Sequence, residues 1–352
     1  MCAGDSKRVL LTGCSGVVGE ALLDRRPGDD VLGLVRRTRP GVAVATARGD
    51  VTRKCLGMST ADYHALCDGI SAVVHSAALT GFSEPAEEIE RVNVDGTVTA
   101  LQLARDAGVP LLYVSTAFTA LGRRADGTVH STYVQSKKRA EELVLSSEVD
   151  STVLRPSVML GHSKTGYIRR YQVFHQMMAA ILRGRIPMLP ADPDGVIDFV
   201  AGDWVADAIW LLVDARGPST PDIVWLTAGP EVTSVSRVLD VWFAFGRSIG
   251  MAVEGLRVVD PEMVDRLIRP LMLDELPPSM ARTFEGALQI AGLMTLDEAF
   301  PHTVSSLLPA RPLAADILLS NAAYWAVRSK LASADLAWKQ ARELASAARE
   351  TR

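Results

Sequence analysis

The sequence is poor in the features that mark several common protein classes. Only four cysteines, Cys2, Cys14, Cys55 and Cys67, occur in 352 residues. They show no paired CxxC spacing, which argues against a disulfide scaffold and predicts free thiols in a reducing cytoplasm. The six histidines form no HExxH or similar cluster, so no metal site is expected. Apolar runs are short or broken by charge, as at Asp207 within residues 205–213, and none approaches the roughly 18 residues of a membrane span. The N-terminus lacks the apolar h-region and small-residue cleavage site of a signal peptide, so a cytoplasmic location is expected. Charge of one sign is also missing. With 37 basic and 41 acidic side chains and a net charge of −4, the chain has no general attraction to polyphosphate, and nucleic acid is not an expected partner.

What is present describes a globular α/β chain. Hydrophobic residues make up 48% and charged residues 22%, enough for a large core with a smaller appended lobe. Short β-branched runs alternate with helical patterns up to about residue 215. The predicted strands are Arg8–Thr12, Val31–Val35, Val42–Ala45, Ala72–His75, Leu111–Ser115, Thr152–Leu154 and Ile223–Leu226. Most are apolar throughout, as a strand covered by helices on both faces must be, and this favours a doubly wound parallel sheet. After residue 230 longer helical segments are broken by Pro270, Pro277-Pro278, Pro301, Pro309 and Pro312, and an amphipathic helix is predicted near the end.

Directly after the first strand stand Gly13, Ser15, Gly16, Val17, Val18 and Gly19, followed by a helical stretch. Gly13 allows a tight turn, Gly16 lets the backbone approach a pyrophosphate, and Gly19 permits close helix–strand packing, with the phosphates meeting the helix N-terminus. A structural turn needs less than this. A strand before and a helix after the glycines predict a dinucleotide-binding Rossmann unit. The second strand ends in Arg36-Arg37, where a carboxylate would select the ribose 2′-hydroxyl. Guanidinium groups pair with a 2′-phosphate instead, so NADP(H) is the expected cofactor. Asp50 and Val51, after the third strand, are placed to meet the adenine.

Tyr133 and Lys137 lie four residues apart at the head of a predicted helix, hence one turn apart on one face. An ammonium beside a phenol stabilises the phenolate and brings its proton affinity toward neutrality, so the spacing predicts a proton-handling pair, with Lys137 also holding the nicotinamide ribose. The strand Leu111–Ser115 carries Ser115 and Thr116 to the carboxyl edge of the sheet, where open α/β folds bind ligands. Thr116 is the expected hydroxyl donor to a carbonyl oxygen, with Ser115 as the alternative. The other way to read these hydroxyls is as strand-end caps.

Together with His75-Ser76-Ala77-Ala78, Asn93-Val94-Asp95-Gly96-Thr97 and Leu154-Arg155-Pro156-Ser157, these motifs resemble the extended short-chain dehydrogenase/reductase family over about residues 7–215. The resemblance implies that Ala77 and Ala78 line the cofactor, that Asn93 braces the site, and that Pro156 and Ser157 approach the nicotinamide. Within that family the chain is similar to thioester reductases and fatty acyl-CoA reductases of the male-sterility type. The phrases Leu34-Val35-Arg36, Tyr113-Val114-Ser115-Thr116-Ala117, the segment 161–166 after Arg155-Pro156, and Asp198-Phe199-Val200 leading to Asp203–Ala208 carry that likeness. In that group the Thr, Tyr and Lys form the catalytic triad, which implies Thr116, Tyr133 and Lys137 here.

The expected organisation is an NADP-binding Rossmann domain over residues 1–230, with substrate-lining segments at about 160–200, and a mainly helical lobe over 231–352. The implied activity is NADPH-dependent reduction of an acyl thioester to aldehyde or alcohol. The segment between Thr116 and Tyr133 is shorter than many members of the group carry. No adenylation or carrier domain is read in the chain, so a carrier protein or CoA is expected in trans. Arg169, Arg170, Arg183 and Arg185 could attract such a partner, and Phe174, Met177, Met178 and Ile181 line either an acyl pocket or the core. The same scaffold also serves ketone or aldehyde reductases, sugar-nucleotide epimerases and NADP-holding sensors without turnover.

Overall fold

The computed structural model describes residues 7–80, 84–121, 131–253 apart from 187, 193, 216, 218 and 219, then 256–260, 296, 298–303 and 308–350. The chain opens with β1 (Arg8–Thr12), α1 (Val17–Arg25), β2 (Val31–Val35) and β3 (Ala45–Arg48). There follow α2 (Thr60–Asp68), β4 (Ile70–His75), α3 (Ala86–Glu90), α4 (Gly96–Ala107), β5 (Leu111–Val114), α5 (Thr132–Leu145) and β6 (Ser151–Pro156). Next come β7 (Val158–Leu160), α6 (Val173–Leu182), β8 (Met188–Pro190), β9 (Val196–Ile197) and β10 (Phe199–Ala201). The remainder holds α7 (Gly202–Asp214), β11 (Ile223–Leu226), β12 (Thr233–Ser234), α8 (Val235–Ser248), β13 (Arg257–Val259), α9 (Ala314–Arg328) and α10 (Ala334–Glu350).

Two compact units result, and neither is one continuous stretch. The first comprises residues 1–157, 202–227 and 302–309. Its sheet has seven strands in the order β3-β2-β1-β4-β5-β6-β11, paired in parallel throughout. This is the Rossmann arrangement, and the strand order reverses between β1 and β4, where such sheets open a crevice for ligands. Every residue of β2 and β5 is buried, as helices on both faces require. The third strand lies three residues beyond the expected start, at Ala45–Arg48, with alternating half-buried and exposed positions. As the edge strand it needs one apolar side rather than the continuous apolar run Val42-Ala43-Val44 that suggested it. The helices α1 and α7 are tied by Arg25 to Asp207 at 2.6 Å, by Arg26 to Asp214, and by the Trp210 indole N–H donating to the Leu22 carbonyl at 3.0 Å.

The second unit comprises residues 158–201, 228–301 and 310–352. Three two-stranded pairs, β7 with β10, β8 with β13 and β9 with β12, accompany α6, α8, α9 and α10. Phe174, Met177, Met178 and Ile181 are all under a tenth exposed, and the Phe174 ring packs against Phe199 and Trp242, with Trp242 in turn against Trp325. The stripe is therefore core of this unit. Residues around Pro270 and Pro277-Pro278 lie outside the described ones. No helix among the described residues is long and apolar enough to cross a membrane.

Leu10 sits in the middle of β1, fully buried between sheet neighbours on both sides. Truncating it leaves a void that a close-packed sheet cannot fill, so Leu10→Ala is expected to lower the unfolding free energy by about 3 kcal/mol. Urea unfolding followed by circular dichroism measures this; an unchanged midpoint would show that β1 is not at the centre of the core.

Candidate active site

The crevice is built where β1 and β4 end. Gly13 has φ +69, and a side chain there would stand 2.6 Å from the Ala77 backbone nitrogen and the Ser76 carbonyl carbon. A Cβ on Gly19 would meet the Gly13 carbonyl oxygen at 2.3 Å. Only glycine fits either place, because backbone approaches backbone there. The Thr12 hydroxyl joins His75 Nδ1 at 2.7 Å and accepts from the Ala77 N–H at 3.3 Å, while the Ser76 hydroxyl donates to the Thr12 carbonyl. Gly16 caps α1 with no side-chain hydrogen bond, which leaves first-turn N–H groups for an anionic ligand. Ser15, Val17 and Val18 lie along this turn, none of them fully buried.

Arg36 and Arg37 follow β2 and are exposed; Arg36 lies 4.0 Å from the Asp50 carboxylate. Asp50 is occupied chiefly by the Thr52 N–H and hydroxyl, at 3.0 and 2.9 Å. Val51 is buried against Gly96 at the start of α4. Thus the basic end of β2 and the Asp50-Val51 turn are neighbours, as the expected adenosine end of a dinucleotide site requires.

At the carboxyl edges of β5 and β6 stand two buried hydroxyls, Ser115 and Ser157, for which no hydrogen-bond partner is found among the described residues. Buried polar groups of that kind are costly unless a ligand or water completes them. Thr116 accepts from the Phe118 N–H, and its hydroxyl lies beside the Tyr133 phenol and lowers its pKa. These hydroxyls and Pro156 therefore lie at the ligand-binding edge named from the sequence.

The electrostatics differ from the expectation drawn from spacing. Burial pushes the Tyr133 phenol up to about 12, the Thr116 hydrogen bond opposing it, and Lys137 is not among the groups that set its acidity. Lys137 instead donates to the Val114 carbonyl at 2.7 Å and to the Tyr113 hydroxyl at 3.2 Å. Burial pulls its ammonium down to about 7, and the Glu141 carboxylate one turn along opposes that fall. The phenol is neutral in this state. A shared helix face brings two side chains to one side of a helix, but it does not make them partners when a strand offers a nearer carbonyl and hydroxyl.

Asn93 lies in a π-helical turn, Arg91–Asp95, and its amide bonds the Leu79 N–H and carbonyl and the Ser136 hydroxyl. Ser136 donates to the Tyr133 carbonyl, so the contacts of Asn93 lead to the backbone of the tyrosine. Three further bracing residues, Tyr113, Ser136 and Glu141, do not follow from the motifs. Glu141 is buried and held by Arg155 at 2.5 and 3.1 Å and by Thr119 at 3.0 Å. The repeated spacing of four in Tyr133, Lys137 and Glu141 could have pointed to this carboxylate, whereas Tyr113 inside an apolar strand gave no signal.

The comparisons with known proteins agree with this geometry. Residues 42–209 match the NAD-binding family model described as male sterility protein. A linear gramicidin synthase from Brevibacillus parabrevis is 26% identical over 236 residues, 54% of this chain and 5% of that protein. A putative fatty acyl-CoA reductase of Drosophila melanogaster is 22% identical over 52% of this chain and 42% of its own length. The chain therefore spans only a small part of the synthase. The crystal structure of the terminal R domain from the myxalamid PKS-NRPS pathway superposes with a TM-score of 0.69 at 25% identity, covering 94% of this chain and 93% of that one. The resemblance to extended short-chain dehydrogenase/reductases of the thioester-reductase and male-sterility type holds, and the matched family model is an NAD-binding one.

A buried ammonium leaves a thermodynamic signature. Lys137 releases its proton near 7 when folded but at about 10.4 when unfolded. Between those values the unfolded chain binds more protons, so stability rises with pH across that window. Lys137→Met removes this slope. Its stability advantage over the parent chain is expected to be greatest below pH 7 and to shrink toward pH 10, read by urea unfolding at pH 6, 7.5 and 9; parallel pH dependences would show that Lys137 is not buried as an ammonium.

Proposed function

Taking the extended short-chain dehydrogenase/reductase type as the premise, we propose that this chain is an NADPH-dependent reductase of acyl thioesters presented by a carrier protein or CoA. The observation that carries the reading is the pair of hydroxyls, Thr116 and Tyr133, close enough at the carboxyl edge of β5 for one to lower the pKa of the other.

The glycine turn fits a dinucleotide because its backbone is bare where any Cβ would collide, and the N-terminus of α1 fits a pyrophosphate. Gly13, Ser15, Gly16, Val17, Val18 and Gly19 would hold the phosphates, and Asp50 and Val51 the adenine end. Arg36 and Arg37 would pair with a 2′-phosphate, which is why NADP(H) is favoured over NAD(H). Ala77, Ala78, Asn93, Ser115, Pro156 and Ser157 would line the path to the reacting end, and Tyr133 and Lys137 would meet the ribose. When bound, the reduced nicotinamide supplies hydride.

What the protein adds is placement of charge and protons. Thr116 and Tyr133 donate to the thioester carbonyl oxygen as it gains negative charge, and Tyr133, being neutral, has a proton to give. Addition of hydride and proton yields a thiohemiacetal; breaking its C–S bond releases thiol and aldehyde. The nonribosomal and polyketide synthetase relatives favour a carrier-bound thioester over a free ketone.

Two outcomes are expected. Tyr133→Phe should keep NADPH binding, measured by fluorescence titration, while turnover of an acyl-pantetheine or acyl-CoA falls by at least about 100-fold, the scale of general-acid catalysis; full turnover in that variant refutes the assignment. Product mass analysis across acyl-CoA, acyl-pantetheine, aldehyde and ketone substrates tests the substrate class, and consumption of ketones alone sinks the thioester reading. Separately, Arg36→Ser with Arg37→Ser should raise the Michaelis constant for NADPH about tenfold and leave that for NADH nearly unchanged, because only the phosphate contacts are lost. An equal effect on both cofactors would place the 2′-phosphate elsewhere.

A further inference from the structure

Lys137 reaches the Tyr113 hydroxyl at 3.2 Å, and its Nζ stands 4.6 Å from the centre of the same ring. Tyr113 lies in the middle of the sheet at 1% exposure. The Thr97 side chain acts on the phenol from α4 and lowers its pKa against the larger rise from burial, while its own hydroxyl proton goes to the Asn93 carbonyl at 2.7 Å. The phenol oxygen accepts from Lys137.

We propose that Tyr113 is a positioning residue for this site: its hydroxyl oxygen, held in the sheet by the buried ring, fixes the direction of the Lys137 ammonium and keeps it charged. The inference rests on the reading of Lys137 as part of the reacting site. A phenol that keeps its own proton accepts from the ammonium without taking a proton from it, so the contact holds a charge in place and does not conduct one. Tyr113 is suited to this because its own proton is held tightly, burial pushing the phenol well above its usual value. Two acceptors, Tyr113 and the Val114 carbonyl, occupy two of the three N–H bonds of the ammonium.

The other charged and titratable groups facing Lys137 do not replace this contact. His75 stacks on Tyr113 with ring centres 5.9 Å apart, and burial together with the Lys137 charge holds its imidazole neutral, down at about 3. Glu141 acts on Lys137 through its charge but spends both oxygens on Arg155 and Thr119. Tyr133, one turn back on α5, has Thr116 beside its phenol, and Lys137 is not among the groups that set its acidity. Tyr113 is thus the side chain that bonds the ammonium directly.

The test reads Lys137 itself. Lysine labelled with carbon-13 at Cε is titrated by NMR in the intact protein, the Lys137 signal being assigned by its loss in Lys137→Met. Tyr113→Phe keeps the ring and removes only the hydroxyl. It is expected to move the Lys137 titration about one pH unit lower, the effect of losing a hydrogen bond to a charged group. Tyr113→Leu, which also removes the hydroxyl, is expected to move it in the same direction, and it serves if Tyr113→Phe fails to fold. Tyr63→Phe, which removes a buried phenol bonded to Asp106, should leave it in place. The basic limb of the NADPH-dependent rate should shift with the titration. An unmoved Lys137 titration in whichever of Tyr113→Phe and Tyr113→Leu folds overturns the proposal, whatever happens to thermal stability. A shifted titration in a protein that reduces no thioester would support the positioning role and refute the reductase reading instead.

Discussion

The structure turns on one costly act, the burial of the Lys137 ammonium between a strand end and a helix. A bare ammonium in a protein interior is unstable by far more than a typical fold can tolerate, so each of its N–H groups must find an acceptor. The Val114 carbonyl at the last residue of β5 and the Tyr113 hydroxyl accept from two of them, and the Glu141 carboxylate on the next turn of α5 acts through its charge. Each comes from an element whose position is set by the sheet. The same requirement explains why Glu141 is clamped by Arg155 from the end of β6 and by Thr119 from the turn after Thr116. A carboxylate that balances a buried charge has to be kept from swinging to water. The site is therefore a consequence of how β5, β6 and α5 meet, and not a set of side chains laid on a finished surface.

A second constraint is geometric. Gly13 and Gly19 put backbone against backbone at the junction of β1, α1 and β4. That closeness lets Thr12 bridge to His75 and Ala77, so the two strands flanking the crevice are joined at the level where a ligand would enter. His75 then stacks on Tyr113, which carries the contact onward to Lys137. The glycine turn and Lys137 belong to one connected layer of contacts across the carboxyl edge of the sheet.

Much of this is readable from the residues. The strands β1, β2, β4, β5 and β6 are legible because a doubly covered strand must be largely apolar, the edge strand β11 because its residues Ile223–Leu226 happen to be apolar although their burial alternates, and the glycine turn because its three glycines serve three separate steric needs. Thr116, Tyr133 and Lys137 are legible as neighbours because a strand end and one helix turn converge there. The edge strand β3 is displaced by three residues because edge strands need only alternate. The pairs β7–β10, β8–β13 and β9–β12 are not legible, since strands of two or three residues show no period. The discontinuous second unit is hidden for another reason: membership in a unit is decided by long-range contacts, and composition does not record where a chain returns.

The bonding of Lys137 is the least legible part, and the cause is instructive. A spacing of four states which side chains share a helix face; it is silent on what the facing strand presents to that face. Tyr113 looks from its sequence like one more large apolar residue in Leu111-Leu112-Tyr113-Val114, and its ring does pack as one, but a phenol buried among aliphatic neighbours must also satisfy its hydroxyl. Once the strand direction turns that hydroxyl toward α5, a lysine emerging from the helix is the group that meets it. A tyrosine at that position thus couples sheet packing to the charge state of the site. Leucine there would serve the core equally well and leave the ammonium short of a partner.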